Sequence, residues 1–395
     1  MPAQALGKKI AVVGASAAGL YAAGLLARAG ASVEVFEQAE RVEPLRRTLI
    51  VTSRMRDILG QVGEPSVVNQ IHRFELFTDG RVAKIHLTRP DLVIERSALL
   101  RSLGDEARAA GARQQFGRRF NSLEKTQKGL QLNLQTADGR CESREVSTLI
   151  GADGAASKVA RAGGWPRLTT VPLIQAIVRL PAEYPPDTVR VWFIPDDTRY
   201  FYWLIPEADG RGALGLIGED GAAARRALER FVEKKQFEPQ SYQAARIPVY
   251  TRWVETCRAF GGGNIHLLGD AAAQVKVTTV GGIVTGLRGA AGVAESIIHG
   301  RTRILSKLRR ELDTHLLIRR ALHHFQQADY SRLVDLLNPG ARDSLGIHTR
   351  DEAVRVLWNI CRRQPRFVLL GLRGLITGRS LALARPSQTL DSTGR

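Results

Sequence analysis

The stretch KIAVVGASAAGLYAAGLLARAGASVEVFE, residues 9–37, decides the fold class. Lys9–Val13 is a short β-branched apolar run that stops at Gly14, the pattern of a strand buried on both faces. A helix over Ala17–Arg28 follows, closed by Gly30, and Ser32–Phe36 makes a second strand that runs into Glu37. Strand, glycine turn, helix and strand form one βαβ unit, so the spacing predicts a parallel sheet of Rossmann type. In the turn, Gly14 permits the tight bend and Gly19 permits close packing of helix on strand. Ser16 is small enough for a pyrophosphate to approach the backbone, although the usual GxGxxG pattern has glycine there. The helix N-terminus offers N–H groups and positive dipole to phosphate. Glu37 is placed to accept from a ribose hydroxyl.

Two later segments extend this pattern. GADGAAS, residues 151–157, follows an apolar strand at Ser147–Ile150 and places Asp153 and Gly154 in a turn. GDAAAQVKVTTVGG, residues 269–282, follows the apolar strand Ile265–Leu268. Asp270 there is placed to accept from ribityl hydroxyls. Gly281, Gly282 and Ile283 open a helix whose amides can face the polar edge of a flavin and stabilise charge on it. A glycine-rich turn alone is weak, but three such segments in this order, with an acid at the distance of Glu37, indicate an FAD-dependent oxidoreductase. Arg96 opens a helix over Arg96–Ala110 after Val93-Ile94-Glu95; it reads either as an ordinary helix-surface arginine or, by resemblance to related flavoproteins, as a cofactor contact. Lys276 reads either as a ligand for a diphosphate or the flavin's polar edge, or as a solvated loop lysine.

Between these segments the pattern changes. Phe74–Leu87 reads as a hairpin around Thr78-Asp79-Gly80, and Leu130, Leu132 and Leu134 alternate before an Asp138-Gly139 turn. From about Pro166 to Pro248 strand signals dominate, at Val189–Ile194, Tyr200–Ile205 and Gly212–Gly218. After Gly300, leucine and arginine recur at helical spacing through Ile304–Leu337, Glu352–Ile360 and Phe367–Ile376. The expected architecture is α/β. A Rossmann-like FAD-binding domain is assembled from residues 1–72, 92–165 and 258–300. An inserted antiparallel β-sheet substrate domain comes from 73–91 and 166–257, and a C-terminal basic helical region from 301–395. Period-two alternation puts Phe201, Trp203 and Ile205 on one strand face, with Tyr200, Tyr202 and Leu204 on the other. The first face, ending at Pro206, reads either as the wall of an apolar substrate pocket or as sheet core.

The 395 residues carry a formal net charge of +18. Residues 301–395 hold 18 basic and 8 acidic side chains, a net +10 in the last quarter. That balance reads either as a solvated arginine-rich surface or as a preference for anionic partners. With no helix-turn-helix, zinc-finger or aromatic RNA-binding signature, nucleic acid is not expected, whereas the basic tail reads as a helical layer packed on the FAD-binding domain, as an amphipathic surface on an anionic membrane, or as both. The three cysteines, Cys141, Cys257 and Cys361, show no CxxC or Cys/His spacing, which argues against a disulfide framework or a metal site. His323 and His324 have no carboxylate or cysteine partners at ligand spacing. Lys8, Lys9 and the apolar stretch Ile10–Ala27 imitate a secretory signal, but the same residues parse as strand, turn and helix. The expected location is the cytoplasm, peripheral on the inner face of the membrane.

The segment from Gly269 to Ile283 resembles GDAAGxVKPTTGGGI of the geranylgeranyl reductase family, within the p-hydroxybenzoate hydroxylase-like flavoproteins. Phe201-Tyr-Trp-Leu-Ile-Pro206 resembles that family's YxWxFP motif, and the basic helical tail resembles the family's tail. Val277 stands in place of the proline, and Ala273 and Val280 each in place of a glycine. The resemblance implies FAD as cofactor and reduction of carbon–carbon double bonds in an isoprenoid or other apolar small molecule. It implies hydride transfer from reduced flavin and places Asp153 near the cofactor's pyrophosphate. Electrons would come from NAD(P)H or a ferredoxin-like partner protein, and Tyr200, Tyr202 or a water would supply the proton. Trp203-x-Ile205-Pro206 is about equally close to the WxWxIP motif of flavin halogenases, so a monooxygenase or halogenase on the same scaffold is the alternative.

Overall fold

The computed structural model describes residues 7–42 and 47–377. A six-stranded sheet runs in the order Cys257–Phe260, Gly263–Leu267, Thr148–Gly151, Lys9–Val13, Ser32–Phe36, Arg113–Gln115. All its pairings are parallel except that of the first two strands. Residues Ile10–Val13 are buried, as a strand covered on both faces requires. Helix α1 (Ala17–Arg28) begins where the Ser16 side chain accepts from the Gly19 N–H at 3.2 Å. The short helix α2 (Arg54–Leu59), α3 (Arg96–Ala109) and the short α4 (Lys158–Ala162) follow. Glu95 caps α3, accepting from the N–H groups of Ser97 at 2.9 Å and Ala98 at 2.7 Å. A three-stranded antiparallel sheet of Arg118–Lys125, Leu130–Thr136 and Cys141–Val146 buries its alternating leucines against the first sheet.

The second large sheet has eight strands, in the order Glu238–Pro248, Thr170–Arg179, Arg211–Ile217, Tyr202–Pro206, Thr188–Trp192, Val67–Thr78, Arg81–Glu95, Thr48–Val51. Six of its pairings are antiparallel, but Thr188–Trp192 lies parallel to Val67–Thr78. The hairpin expected over 74–87 extends to 67–95. The sheet therefore takes in residues 48–51, 67–72 and 92–95, which sequence reading gives to the nucleotide-binding segments. The strand-dominated stretch also contains a helix, α5 (Gly221–Lys234), capped by Asp220, which accepts from the Ala223 N–H at 2.8 Å. Ala224, Ala227, Leu228, Phe231 and Val232 form its buried stripe, a helical period hidden among strands.

The chain then forms α6 (Ile283–His299), α7 (Arg303–His323), α8 (Gln327–Leu336), α9 (Pro339–Ile347), α10 (Ala353–Arg363) and α11 (Arg366–Thr377). The continuous helical run expected over 304–337 breaks after His323. There a capping box of Gln326 and Asp329 starts α8, because both side chains satisfy N–H groups that would otherwise lack partners. Helix α6 packs on α1, and α7 on α6. No helix among the described residues is long and apolar enough to cross a membrane.

Candidate active site

Register brings the three glycine segments together. Val13 lies opposite both Gly151 and Phe36, and Gly151 lies opposite Leu267. The turns after these four parallel strands therefore crowd at one sheet edge, the carboxyl end where open α/β sheets bind ligands. At that edge Gly14 has φ +101°, and a Cβ there would stand 2.5 Å from the Ala152 carbonyl oxygen. No other residue fits without moving the neighbouring strand. A Cβ at Gly19 would meet the Gly14 carbonyl oxygen at 2.4 Å, so α1 sits on its own entry turn.

Glu37 accepts from the Ala15 N–H at 2.8 Å through one carboxylate oxygen and from the Ala39 N–H at 3.0 Å through the other. It thus fixes the turn while lining the cavity beside it. Ser16, which caps α1, lines the same cavity. Asp153, expected near the cofactor's pyrophosphate, lines the same cavity and also has partners in its own segment. Its carboxylate accepts from Ser157 Oγ at 2.5 Å and from the N–H groups of Lys158 at 2.7 Å and Val159 at 3.1 Å, so it caps α4. Gly154 lies beside it at the cavity. Gly269 donates its N–H to Gln274 Oε1 at 2.8 Å. Gly281, Gly282 and Ile283 line the cavity at the start of α6, whose first turn has no side-chain cap.

The Asp270 carboxylate makes no hydrogen bond or ion pair with a described residue. Burial raises its carboxyl, and the guanidinium groups of Arg96 and Arg47 pull it back toward the charged form. Arg96 therefore belongs to the site, and Arg47 joins it. No motif marks Arg47; it reaches the site because its carbonyl oxygen accepts from the Arg96 N–H at 3.0 Å. Arg47 Nε, Thr279 Oγ1, Trp203 Nε1 and His315 Nε2 are buried without a hydrogen-bond partner among the described residues, and all four residues line the cavity. Unpaired buried polar atoms are costly in an empty protein, so the arrangement suits a ligand rich in hydrogen-bonding groups. FAD fits this set. Asp270 and Glu37 offer acceptors for its hydroxyls, and the amides opening α1 and α6 offer donors.

Val280 and Ala273, at the two positions where the family motif has glycine, both have left-handed backbone, φ 53° and 51°. For a β-branched residue this is a strained conformation. Val280 packs against the cluster of Tyr200, Trp203 and Ile217, so its side chain occupies the junction between flavin loop and second sheet.

The cavity measures about 1390 Å³ and continues from the cradle along the second sheet to the C-terminal helices. Phe201, Trp203 and Ile205 line it, with Phe201 and Trp203 edge-to-face at 6.1 Å. Tyr202 and Leu204 face α5 instead. Tyr202 stacks on Phe231 at 4.3 Å and donates to Asp197 at 2.9 Å, so it is removed from the cavity. Tyr200, assigned to that far face by alternation, precedes the strand and lines the cavity, with the Arg319 guanidinium 3.9 Å from its ring centre. Pro206 ends the strand outside the cavity lining, its carbonyl accepting from Asn69 at 3.1 Å.

Lys276 is neither solvated nor free. Its ammonium lies 2.5 Å from Asp351, and both side chains are buried. Asp351 also accepts from Thr52 Oγ1, and the Lys276 charge holds its carboxyl down at about 2 against the cost of burial. Nearby, Arg350 lies 2.6 Å from Asp91. His315 Nδ1 lies 2.7 Å from Thr278 Oγ1. Burial, with Lys276 adding to it, pushes the His315 imidazole down to about 3. These residues fasten the segment before α10 to the flavin loop. They join positions up to 299 residues apart, which no local motif reveals. Among the described residues no group of three or more His, Cys, Asp or Glu could hold a metal ion.

Residues 8–301 match the FAD binding domain family. A digeranylgeranylglycerophospholipid reductase of Methanothrix thermoacetophila is 26% identical over 74% of this chain and 79% of its own length. Among solved structures, a geranylgeranyl bacteriochlorophyll reductase-like protein of Thermoplasma acidophilum superposes with a TM-score of 0.76 at 17% identity, covering 93% of this chain and 99% of its own. The flavin-dependent halogenase CmlS gives 0.67 at 14% identity, covering 92% and 78%. The chain belongs to the FAD binding domain family and, with its geranylgeranyl reductase-like relatives, is an FAD-dependent oxidoreductase.

Proposed function

We propose that the protein reduces isolated carbon–carbon double bonds of a geranylgeranyl or similar isoprenoid lipid. The observation that carries this reading is the continuity of one cavity from the nucleotide cradle to an apolar wall. Its volume of about 1390 Å³ exceeds the roughly 300–1,000 Å³ of a pocket for one small ligand, which leaves room for a long chain beside the cofactor. The similarity to lipid reductases adds support.

Reduced FAD, when bound, supplies the hydride. An unactivated alkene has no carbonyl to accept charge, so the chain must contribute alignment, a dry pocket and a proton. Phe193, Phe201, Trp203 and Ile205 give an apolar wall against which a prenyl chain can lie. Tyr200 is the proton source in this reading. Burial keeps its hydroxyl protonated, and the Arg319 cation over its ring can steady the charge left when the proton departs. The electrons come from NAD(P)H or a ferredoxin-like partner, distinguished by which of them bleaches the flavin absorbance without oxygen.

The test is the mass of the product formed from geranylgeranyl lipids, anaerobically with reduced protein and then in air with halide. A gain of two hydrogens per bond without oxygen is expected. Gain of oxygen or halogen only in air would overturn the proposal in favour of a monooxygenase or halogenase.

A further inference from the structure

Helices α7 and α8 bury most of their apolar stripes, with Leu305, Leu308, Leu312 and Val334 buried. Helices α10 and α11 do not. On α10, Val354 and Trp358 stand one turn apart, and Trp358 is 70% exposed. On α11, Leu369, Leu372 and Ile376 share a face at helical spacing, with exposures of 68%, 48% and 72%. From Ala353 to Thr377 the sequence contains five arginines and no acidic residue. Arg355 pairs with Glu352 and Arg373 with Asp329, whereas Arg362 and Arg366 are exposed with no partner among the described residues. Large aliphatic and indole side chains bordered by arginines are the composition of a helix surface that lies in the headgroup layer of an anionic membrane.

A second observation ties this surface to the site. Leu317 of α7 and Val368, Leu372 and Leu375 of α11 are exposed and also line the cavity. The cavity therefore opens between α7 and α11, beside the apolar residues. We infer that the α10–α11 surface docks on an anionic phospholipid bilayer and that the cavity takes its apolar substrate directly from that membrane. Docking stands on exposure and charge alone; substrate entry rests on the isoprenoid reading. A second copy of the chain is disfavoured as the occupant, since two such faces would bring Arg362 and Arg366 of each copy together with no acid from these helices between them. Residues 378–395 are disfavoured on the same ground, with three arginines and one aspartate.

The test is sedimentation of the full-length, FAD-loaded protein, without substrate, on vesicles of phosphatidylcholine alone or mixed equally with phosphatidylglycerol. Binding to the mixed vesicles is expected to be about tenfold tighter or more, weakened by salt, and accompanied by a blue shift of tryptophan emission that Trp358→Phe removes. Leu369→Asp with Ile376→Asp should lower it about tenfold or more. Neither residue lines the cavity, so FAD content and turnover of a detergent-dispersed substrate should be unchanged. If that pair lowers FAD content, Leu369→Gln with Ile376→Gln replaces it. Arg362→Gln with Arg366→Gln should weaken binding to anionic vesicles and leave binding to neutral ones alone. Absent binding, equal binding to both vesicle types, or indifference to the apolar substitutions would overturn docking. So would a concentration-dependent dimer that the same substitutions abolish. Vesicle binding with no lipid product would leave docking standing and overturn the isoprenoid reading.

Discussion

Asp351→Asn is the sharpest probe of how the C-terminal segment is held to the flavin loop. The substitution keeps the shape of the side chain and its acceptor for Thr52, but leaves the Lys276 ammonium buried beside a neutral amide. Breaking a buried pair from one side costs about 3–5 kcal/mol. The variant can escape part of this only by deprotonating Lys276. From a free-lysine value near 10.4, that costs about 4.6 kcal/mol at pH 7, so the two routes set the same scale. They also set a pH signature. A lysine neutral in the folded state and protonated in the unfolded state has a depressed folded pKa. Stability then rises with pH up to the unfolded value, by about 1.4 kcal/mol per unit. The variant should therefore recover part of its loss between pH 7 and pH 9. The assay is urea unfolding of FAD-free protein at pH 7 and pH 9, since bound FAD would itself shift the transition. Lys276→Met with Asp351→Leu should restore most of the loss, because a packed apolar pair needs no compensation. The leftover deficit should be about 1 kcal/mol from the stranded Thr52 hydroxyl. A loss below about 1 kcal/mol, or one that is flat in pH, would refute the reasoning.

Asp270→Ala should leave FAD-free stability within about 1 kcal/mol, since the carboxylate has no hydrogen bond in the protein to lose. It should weaken FAD binding about 10- to 150-fold, the worth of a bond to a charged acceptor, read by quenching of flavin fluorescence on titration. Val280→Gly should raise stability by about 1–2 kcal/mol by relieving the left-handed backbone, seen as a higher urea midpoint; a lower midpoint would show that the lost packing outweighs the strain. Tyr200→Phe should keep the bound flavin and slow lipid reduction about 100-fold or more, the contribution of a positioned acid; unchanged turnover assigns the proton elsewhere. Burial lowers His266 to about 4 and His315 to about 3. Their contribution is complete above pH 6.5 and is lost as pH falls toward 4, by about 1.4 kcal/mol per unit for each. His266→Asn should flatten part of the acid limb of a stability–pH curve.

The sequence by itself determined the cofactor class and the nucleotide cradle. Their signals are local: a strand, a turn that only glycine can make at position 14, a helix capped by its own Ser16, and an acid at the end of the next strand. The apolar cavity face was half legible: alternation puts Phe201, Trp203 and Ile205 together, as they line the cavity, and fails at Tyr200, which lines it too. Asp153 was legible as a turn residue, but its partners showed it to be a cap for α4. Tertiary packing locks Lys276 to Asp351, brings the charge of Arg47 to bear on Asp270, and runs one cavity from cradle to surface. Each depends on pairings between residues far apart in the chain, where burial turns an ordinary lysine or aspartate into half of an ion pair. No local spacing encodes which distant strand or helix will supply the other half.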